Sequence, residues 1–149
     1  MLFTGHSDHV IDAKQRLALP ARYRDQVGRD KVVWYCVPWP GVGLRLYVDE
    51  VFESLSRRGV ESLTPGPDEA ELETTLFGLA ERLEMDGQGR VALPGHLVEL
   101  AGLKSKDVVI VGVRNRLEVR DRSAWKAGLA DRFAKMAQLV ERVDQLRPG

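Results

Sequence analysis

The sequence predicts an α+β fold, mainly β, in which two copies of one short β-unit pair as a pseudo-dimer with helices on its flanks. Three observations carry this. First, a nine-residue segment recurs 74 positions on. Asp12-Ala-Lys-Gln-Arg-Leu-Ala-Leu-Pro20 and Asp86-Gly-Gln-Gly-Arg-Val-Ala-Leu-Pro94 share Asp, Arg, Ala, Leu and Pro, and Gly28 and Gly102 fall at the same offset. Second, the same succession of apolar runs follows each copy. Asp30–Val37 resembles Lys106–Val113, Arg45–Val48 resembles Arg116–Val119, and a helix-like stretch with one aromatic, Phe52 or Trp125, comes next. Third, a unit of about four short strands cannot close a core alone, whereas two in tandem can pair.

Each unit opens with a short strand, Ser7–Ile11 and Leu83–Met85. A polar turn follows, Asp12–Gln15 and Asp86–Gly89, and then an alternating strand stopped by Pro20 or Pro94. Proline suits the first turn of a helix, here Ala21–Gln26 and Gly95–Leu100, and Gly28 and Gly102 suit the helix C-caps. Val32–Val37 and Val108–Val113 read as buried strands. Their partners are Leu44–Val48, across Gly41 and Gly43, and Leu117–Val119, across the Arg114-Asn115 turn. Asp49–Arg58 reads as a helix with Val51, Phe52 and Leu55 on one side. Thr64-Pro-Gly-Pro67 breaks it from a second, acidic helix, Asp68–Leu79, whose Asp68, Glu69 and Glu71 suit the positive end of the helix dipole. After Ser123, the stripe Trp125, Leu129, Phe133, Met136, Val140 and Val143 predicts an amphipathic helix of about six turns, with Arg132, Lys135, Arg142 and Arg147 off the stripe. Its extent beyond the repeat favours a surface for a neighbouring subunit over packing on its own domain. The expected organisation is a first unit over 5–55, an acidic helical linker over 56–78, a second unit over 79–127 and a C-terminal amphipathic helix over 128–149.

The chain has 149 residues, 44% of them hydrophobic and 30% charged, a globular composition. One cysteine, Cys36, excludes an intrachain disulfide and a cysteine zinc cluster, and His6, His9 and His96 form no metal-ligand pattern. No run approaches the ~18 apolar residues of a membrane span, and the N-terminal stretch has no basic region followed by an apolar one, so a soluble cytoplasmic protein is expected. The 22 basic and 22 acidic residues cancel but are segregated. Residues 1–48 carry seven basic and four acidic side chains, residues 49–86 three and eleven, and residues 87–149 twelve and seven. Two basic blocks around an acidic one are compatible with a basic face.

Nothing supports catalysis: there is no nucleophile elbow, phosphate loop or dinucleotide fingerprint, and no cofactor is expected. Cys36 lies in an apolar run and reads as a core residue. The doubled Asp-x-x-x-Arg turn is the most specific feature. The carboxylates of Asp12 and Asp86 can accept turn N–H groups, while Arg16 and Arg90 project in a held geometry suited to phosphate or to the O6/N7 edge of guanine. Lys14, Arg22 and Arg24 add charge around the first copy, and the amides of Gln15 and Gln88 can read base edges. The alternative is that each arginine only braces its own turn.

These same stretches, with Phe77-Gly-Leu-Ala80 and Val109-Ile-Val-Gly-Val-Arg-Asn-Arg-Leu-Glu-Val119, resemble the MraZ family over most of the chain, to about residue 130. The resemblance implies two tandem SpoVT-AbrB-type units, AbrB/MazE-like, forming a swapped-hairpin, pseudo-dimeric barrel. It implies a transcriptional regulator of repeated DNA sites upstream of the division and cell wall gene cluster, a ring-like homo-oligomer larger than a dimer, and association with the nucleoid. It makes Arg16 and Arg90 the DNA-binding arginines, Asp12 and Asp86 their motif partners, and Lys14 a basic motif position. Gln15 stands where the first motif commonly has glycine, which permits positive φ at no cost, and Trp34–Gly43 departs from the pattern. An antitoxin-like protein-interaction module of the AbrB class, docking a basic protein on the acidic 49–86 segment, is the competing expectation.

Overall fold

The computed structural model describes residues 1–28, 31–59 and 61–147. In chain order the elements are β1 (His6–Val10), β2 (Arg16–Ala18), α1 (Ala21–Val27), β3 (Val33–Trp39), β4 (Gly43–Val48), α2 (Asp49–Ser56), α3 (Pro67–Leu79), β5 (Glu81–Glu84), β6 (Arg90–Ala92), α4 (Gly95–Leu100), β7 (Asp107–Val113), β8 (Arg116–Asp121) and α5 (Arg122–Leu146). Each element expected from the sequence is present, with ends moved by one to a few residues. Arg29 and Asp30 of the first unit, Val60 of the linker, and Pro148 and Gly149 of the C-terminal segment lie outside the described residues.

Local chemistry sets the short elements. Pro20 and Pro94 hold φ at −57° and −62° and stand immediately before α1 and α4, at the N-cap rather than inside the first turn. Gly102, at φ +76°, ends α4: its N–H donates to the Glu99 carbonyl at 3.0 Å and that of Leu103 to the Val98 carbonyl at 3.1 Å, the paired closure of a Schellman motif.

The ladders run across the halves of the chain. The hairpins β3–β4 and β7–β8 lie side by side through β4 and β8, giving an antiparallel sheet of order β1-β7-β8-β4-β3-β5. Its ends are the first strands of the opposite halves, β1 on β7 and β5 on β3. β2 and β6 leave the sheet and pair with each other as a separate ribbon. The six-stranded order has two ends, so these ladders do not close the strands into the expected barrel. In two places repeat equivalents stand opposite one another, Leu17 against Val91 and Leu46 against Leu117. All four are fully buried, in one core cluster with Trp34, Tyr23, Leu97 and Ile110.

The other face of the sheet is polar at its centre. Glu118, 3% exposed, accepts from Arg116 Nε at 2.9 Å and Arg120 Nε at 2.9 Å, with Arg45 Nε at 3.6 Å. Burial pushes the Glu118 carboxyl pKa up, but the Arg120 and Arg116 hydrogen bonds outweigh it and hold the pKa down. On one side of this cluster Phe52 of α2 stacks on Tyr35 at 4.5 Å. On the other, α5 starts from a capping bond, Ala124 N–H to Asp121 Oδ2 at 2.9 Å, and lays Trp125 edge-on to His6. Arg132 stands just off the edge of the apolar stripe, about 20° from Trp125 at about 100° per residue, and its guanidinium lies 5.0 Å from the centre of the Trp125 ring. From Leu129 on, every described residue of α5 is exposed. Among the described residues no helix is long and apolar enough to cross a membrane.

Candidate nucleic-acid interface

The two Asp-x-x-x-Arg turns are built with the same bonds. In the first, Asp12 Oδ1 accepts the N–H groups of Lys14 (2.8 Å) and Arg16 (2.9 Å), and Oδ2 accepts Arg16 Nε at 2.8 Å. In the second, Asp86 Oδ1 accepts those of Gln88 and Arg90 (both 2.9 Å), and Oδ2 accepts Arg90 Nε at 2.8 Å. The backbone N–H of the arginine in each turn lowers the pKa of its aspartate, burial opposes this, and the guanidinium lowers it further. Each backbone reverses through a left-handed residue, Gln15 at φ +63° and Gly89 at φ +78°. Glutamine therefore makes the turn that glycine makes in the second copy, with its hydrogen bonds retained.

Each turn is also clasped to the other copy. Leu19 N–H donates to the Gly89 carbonyl at 2.9 Å, and Leu93 N–H to the Gln15 carbonyl at 2.8 Å. Between these clasps runs the β2–β6 ribbon, with Arg16 opposite Ala92 and Ala18 opposite Arg90. Alternation sends Leu17 and Val91 into the core and leaves both arginines on the outer face, on a diagonal of about 7–8 Å. The facing residues are alanines, and the Arg16 and Arg90 side chains stay 31% and 26% exposed. Each aspartate is bonded through Nε, so its contact does not consume the terminal amino groups. A two-stranded ribbon of this width fits the DNA major groove, and a held guanidinium is the side chain that reads guanine in two bonds.

The remaining candidate residues divide. Lys14 and Gln88 are exposed in the two turns beside the ribbon. Arg24, expected near the first turn, crosses to the second: a Cβ on Gly89 would fall 2.3 Å from its Cδ. Its Nε is buried without a hydrogen-bond partner. Arg22 turns towards β1, its Nη2 3.3 Å from Ser7 Oγ and its guanidinium 4.8 Å over the Tyr23 ring. Of the extra cations of the first copy, Lys14 thus stays in the turn of Arg16, while Arg22 and Arg24 are directed elsewhere. Sequence reasoning missed the Arg24–Gly89 contact, although the paired differences between the copies, Gln15 for Gly89 and Val98 where Arg24 would recur, are its signal.

Among the described residues no three His, Cys, Asp or Glu side chains are grouped to hold a metal ion. Cys36 is buried in the core, and burial pushes its thiol up to about 12.

Comparison with known proteins bears on this geometry. Residues 76–146 match the family model described as "MraZ protein, putative antitoxin-like". The chain is 35% identical to the transcriptional regulator MraZ of Lachnoclostridium phytofermentans over 139 residues, 91% of this chain and 93% of the relative. It is 36% identical to the protein of the same name from Alkalilimnicola ehrlichii, covering 87% of each chain. With that of Roseiflexus castenholzii it shares 32% identity over 98% of this chain and 99% of the relative.

Proposed function

The chain belongs to the MraZ family, and from that premise we propose that it is a DNA-binding transcriptional regulator, not an enzyme, that reads double-stranded DNA with the outer face of the β2–β6 ribbon. The observation that carries the reading is the pair of identically built turns, which present Arg16 and Arg90 side by side on that face. Arg16 and Arg90 contact base edges, with Gln88 beside them. Lys14 meets backbone phosphate. Asp12 and Asp86 hold the two forks. Arg24 supports the second turn, and Arg22 adds charge at the rim. The targets are repeated sites upstream of the division and cell wall gene cluster, and the protein acts in the cytoplasm, on the nucleoid, as a ring-like homo-oligomer larger than a dimer.

The organisation that serves this function is tandem SpoVT-AbrB-type units over 5–55 and 79–127, joined by the acidic linker 56–78 and followed by the helix over 128–149. Exchange of β1 and β5 between halves, and the facing of repeat equivalents at Leu17/Val91 and Leu46/Leu117, support a swapped-hairpin pseudo-dimer.

The test is a DNA-binding titration with the duplex upstream of the protein's own gene, run with melting temperatures on the same samples. Arg16→Ala and Arg90→Ala are each expected to lose about 1–3 kcal/mol of discrimination while the fold persists. With Arg22 and Arg24 directed elsewhere, neither loss is expected to dominate. Lysine at either position rescues poorly, because an ammonium keeps the charge without the fork. Unchanged DNA affinity with a lowered melting temperature would reduce both arginines to braces of their own turns.

A further inference from the structure

The outer face of the sheet holds more positive charge than it neutralises. Among the described residues, Glu118 is the one carboxylate paired with Arg45, Arg116 and Arg120, so three guanidinium groups share one counter-charge. Arg116 and Arg120 are bonded to it through Nε at 2.9 Å. Arg45 is left short: its Nε lies 3.6 Å from the carboxylate, too far for a hydrogen bond, and is buried with no other hydrogen-bond partner. Arg45 also lines a groove of about 450 Å³ formed by β3, β4, α2 and α3. Tyr47, Phe52, Leu72, Leu76 and Phe77 give that groove an apolar wall, in which the Phe52 ring centre lies 6.0 Å from those of Tyr47 and Phe77. Trp39 lines it too, its ring centre 4.1 Å from the Arg45 guanidinium. An apolar cleft of this size with few fixed polar groups is the usual form of a small-molecule site. The other charged side chains of the lining are Glu69 and Glu73 of α3. Both are exposed, so water screens them, whereas the Arg45 side chain is 18% exposed and its charge is screened less.

We propose that this groove binds a small molecule with an aromatic or apolar body and one anionic group, a carboxylate, sulfonate or phosphate. The body lies along Tyr47, Phe52 and Phe77. The anionic group meets the Arg45 guanidinium and supplies the counter-charge that Glu118 alone does not give, in a charge-assisted contact shielded from water on its sheet side. The site is separate from the ribbon. Leu46 and Leu117, the sequence neighbours of Arg45 and Glu118, point the other way, into the core cluster that holds Leu17 and Val91. The groove therefore lies across the sheet from Arg16 and Arg90, and it stands whether or not the ribbon binds DNA.

The test is a fluorescence titration of the full chain with two probes: anilinonaphthalene sulfonate, and phenyl-naphthylamine, which has the same rings without the charge. The sulfonate is expected to bind once per chain, about tenfold or more tightly than the neutral probe. Arg45→Met is expected to remove that preference and leave the neutral probe as it was, since Glu118 keeps Arg116 and Arg120 and the fold persists. Leu72→Trp is the second variant. Leu72 is 62% exposed, so the larger side chain fills the groove without entering the core, and both probes are expected to weaken. Equal affinity for the two probes would reduce the groove to an apolar patch. Sulfonate binding that survives Leu72→Trp would place the probe elsewhere, and no sulfonate binding would mean that the groove is closed in the assembled protein. Tighter binding of the cationic dye thioflavin T would assign the groove to Glu69 and Glu73. Each of these results would overturn the proposal.

Discussion

At the scale of single residues, the working unit is an aspartate that fixes both a backbone reversal and an arginine. Each turn is closed by five hydrogen bonds among its own residues, and three of them end on one carboxylate. The carboxylate must be charged to hold them. Because the Asp12 and Asp86 pKa values are lowered in the folded chain, they favour folding above the ordinary carboxylate pKa, and this support is lost as pH falls through the lowered values. Stability is therefore expected to decline on acidification below about pH 4. Asp86→Asn should start lower at neutral pH and fall less steeply with acid. Denaturation curves across that range check this, and parallel declines for the two proteins would count against the role. The sequence showed both partners of each clamp, because Asp and Arg are four positions apart in one turn. It did not show where Arg24 goes, because that contact joins α1 of one copy to the turn of the other.

At the scale of elements, the strands were legible and their partners were not. Alternation and the Ala-Leu-Pro stops marked β2 and β6, and the apolar runs marked β3 and β7. A period of two tells which face of a strand is buried but not which strand lies beside it, so the pairing of β1 with β7 and β5 with β3 comes from the structure alone. The same limit hid Glu118. Arg116, Glu118 and Arg120 alternate like residues on a solvated strand, yet they sit at the sheet centre with Arg45 opposite. Three guanidinium groups around one buried carboxylate make Glu118→Gln costly, since the arginines stay where they are without their counter-charge. A loss of about 3 kcal/mol is expected, read as a lowered denaturation midpoint. A loss below about 1 kcal/mol would show that water reaches the cluster and screens it.

At the scale of the whole molecule, a zero net charge concealed a division of labour. The acidic block forms α2 and α3, while the basic blocks supply the ribbon and the outer helix. The fold also assigns a limited role to the peptide between α2 and α3. Outside the hairpins, each long ladder joins the first half of the chain to the second: β1 to β7, β5 to β3, β2 to β6 and β4 to β8. The connection raises the effective concentration of one half about the other but carries none of the ladders. Glu61 to Thr64 are exposed within it and suit a protease. A single cut there is expected to leave two fragments that co-elute in native buffer and separate in denaturant. Their return to the folded state should then depend on concentration, whereas that of the uncut chain should not. Separation of the fragments without denaturant would refute this. The molecule behaves, in effect, as a heterodimer synthesised in one piece, and its covalent continuity governs how fast the halves meet more than how firmly they hold.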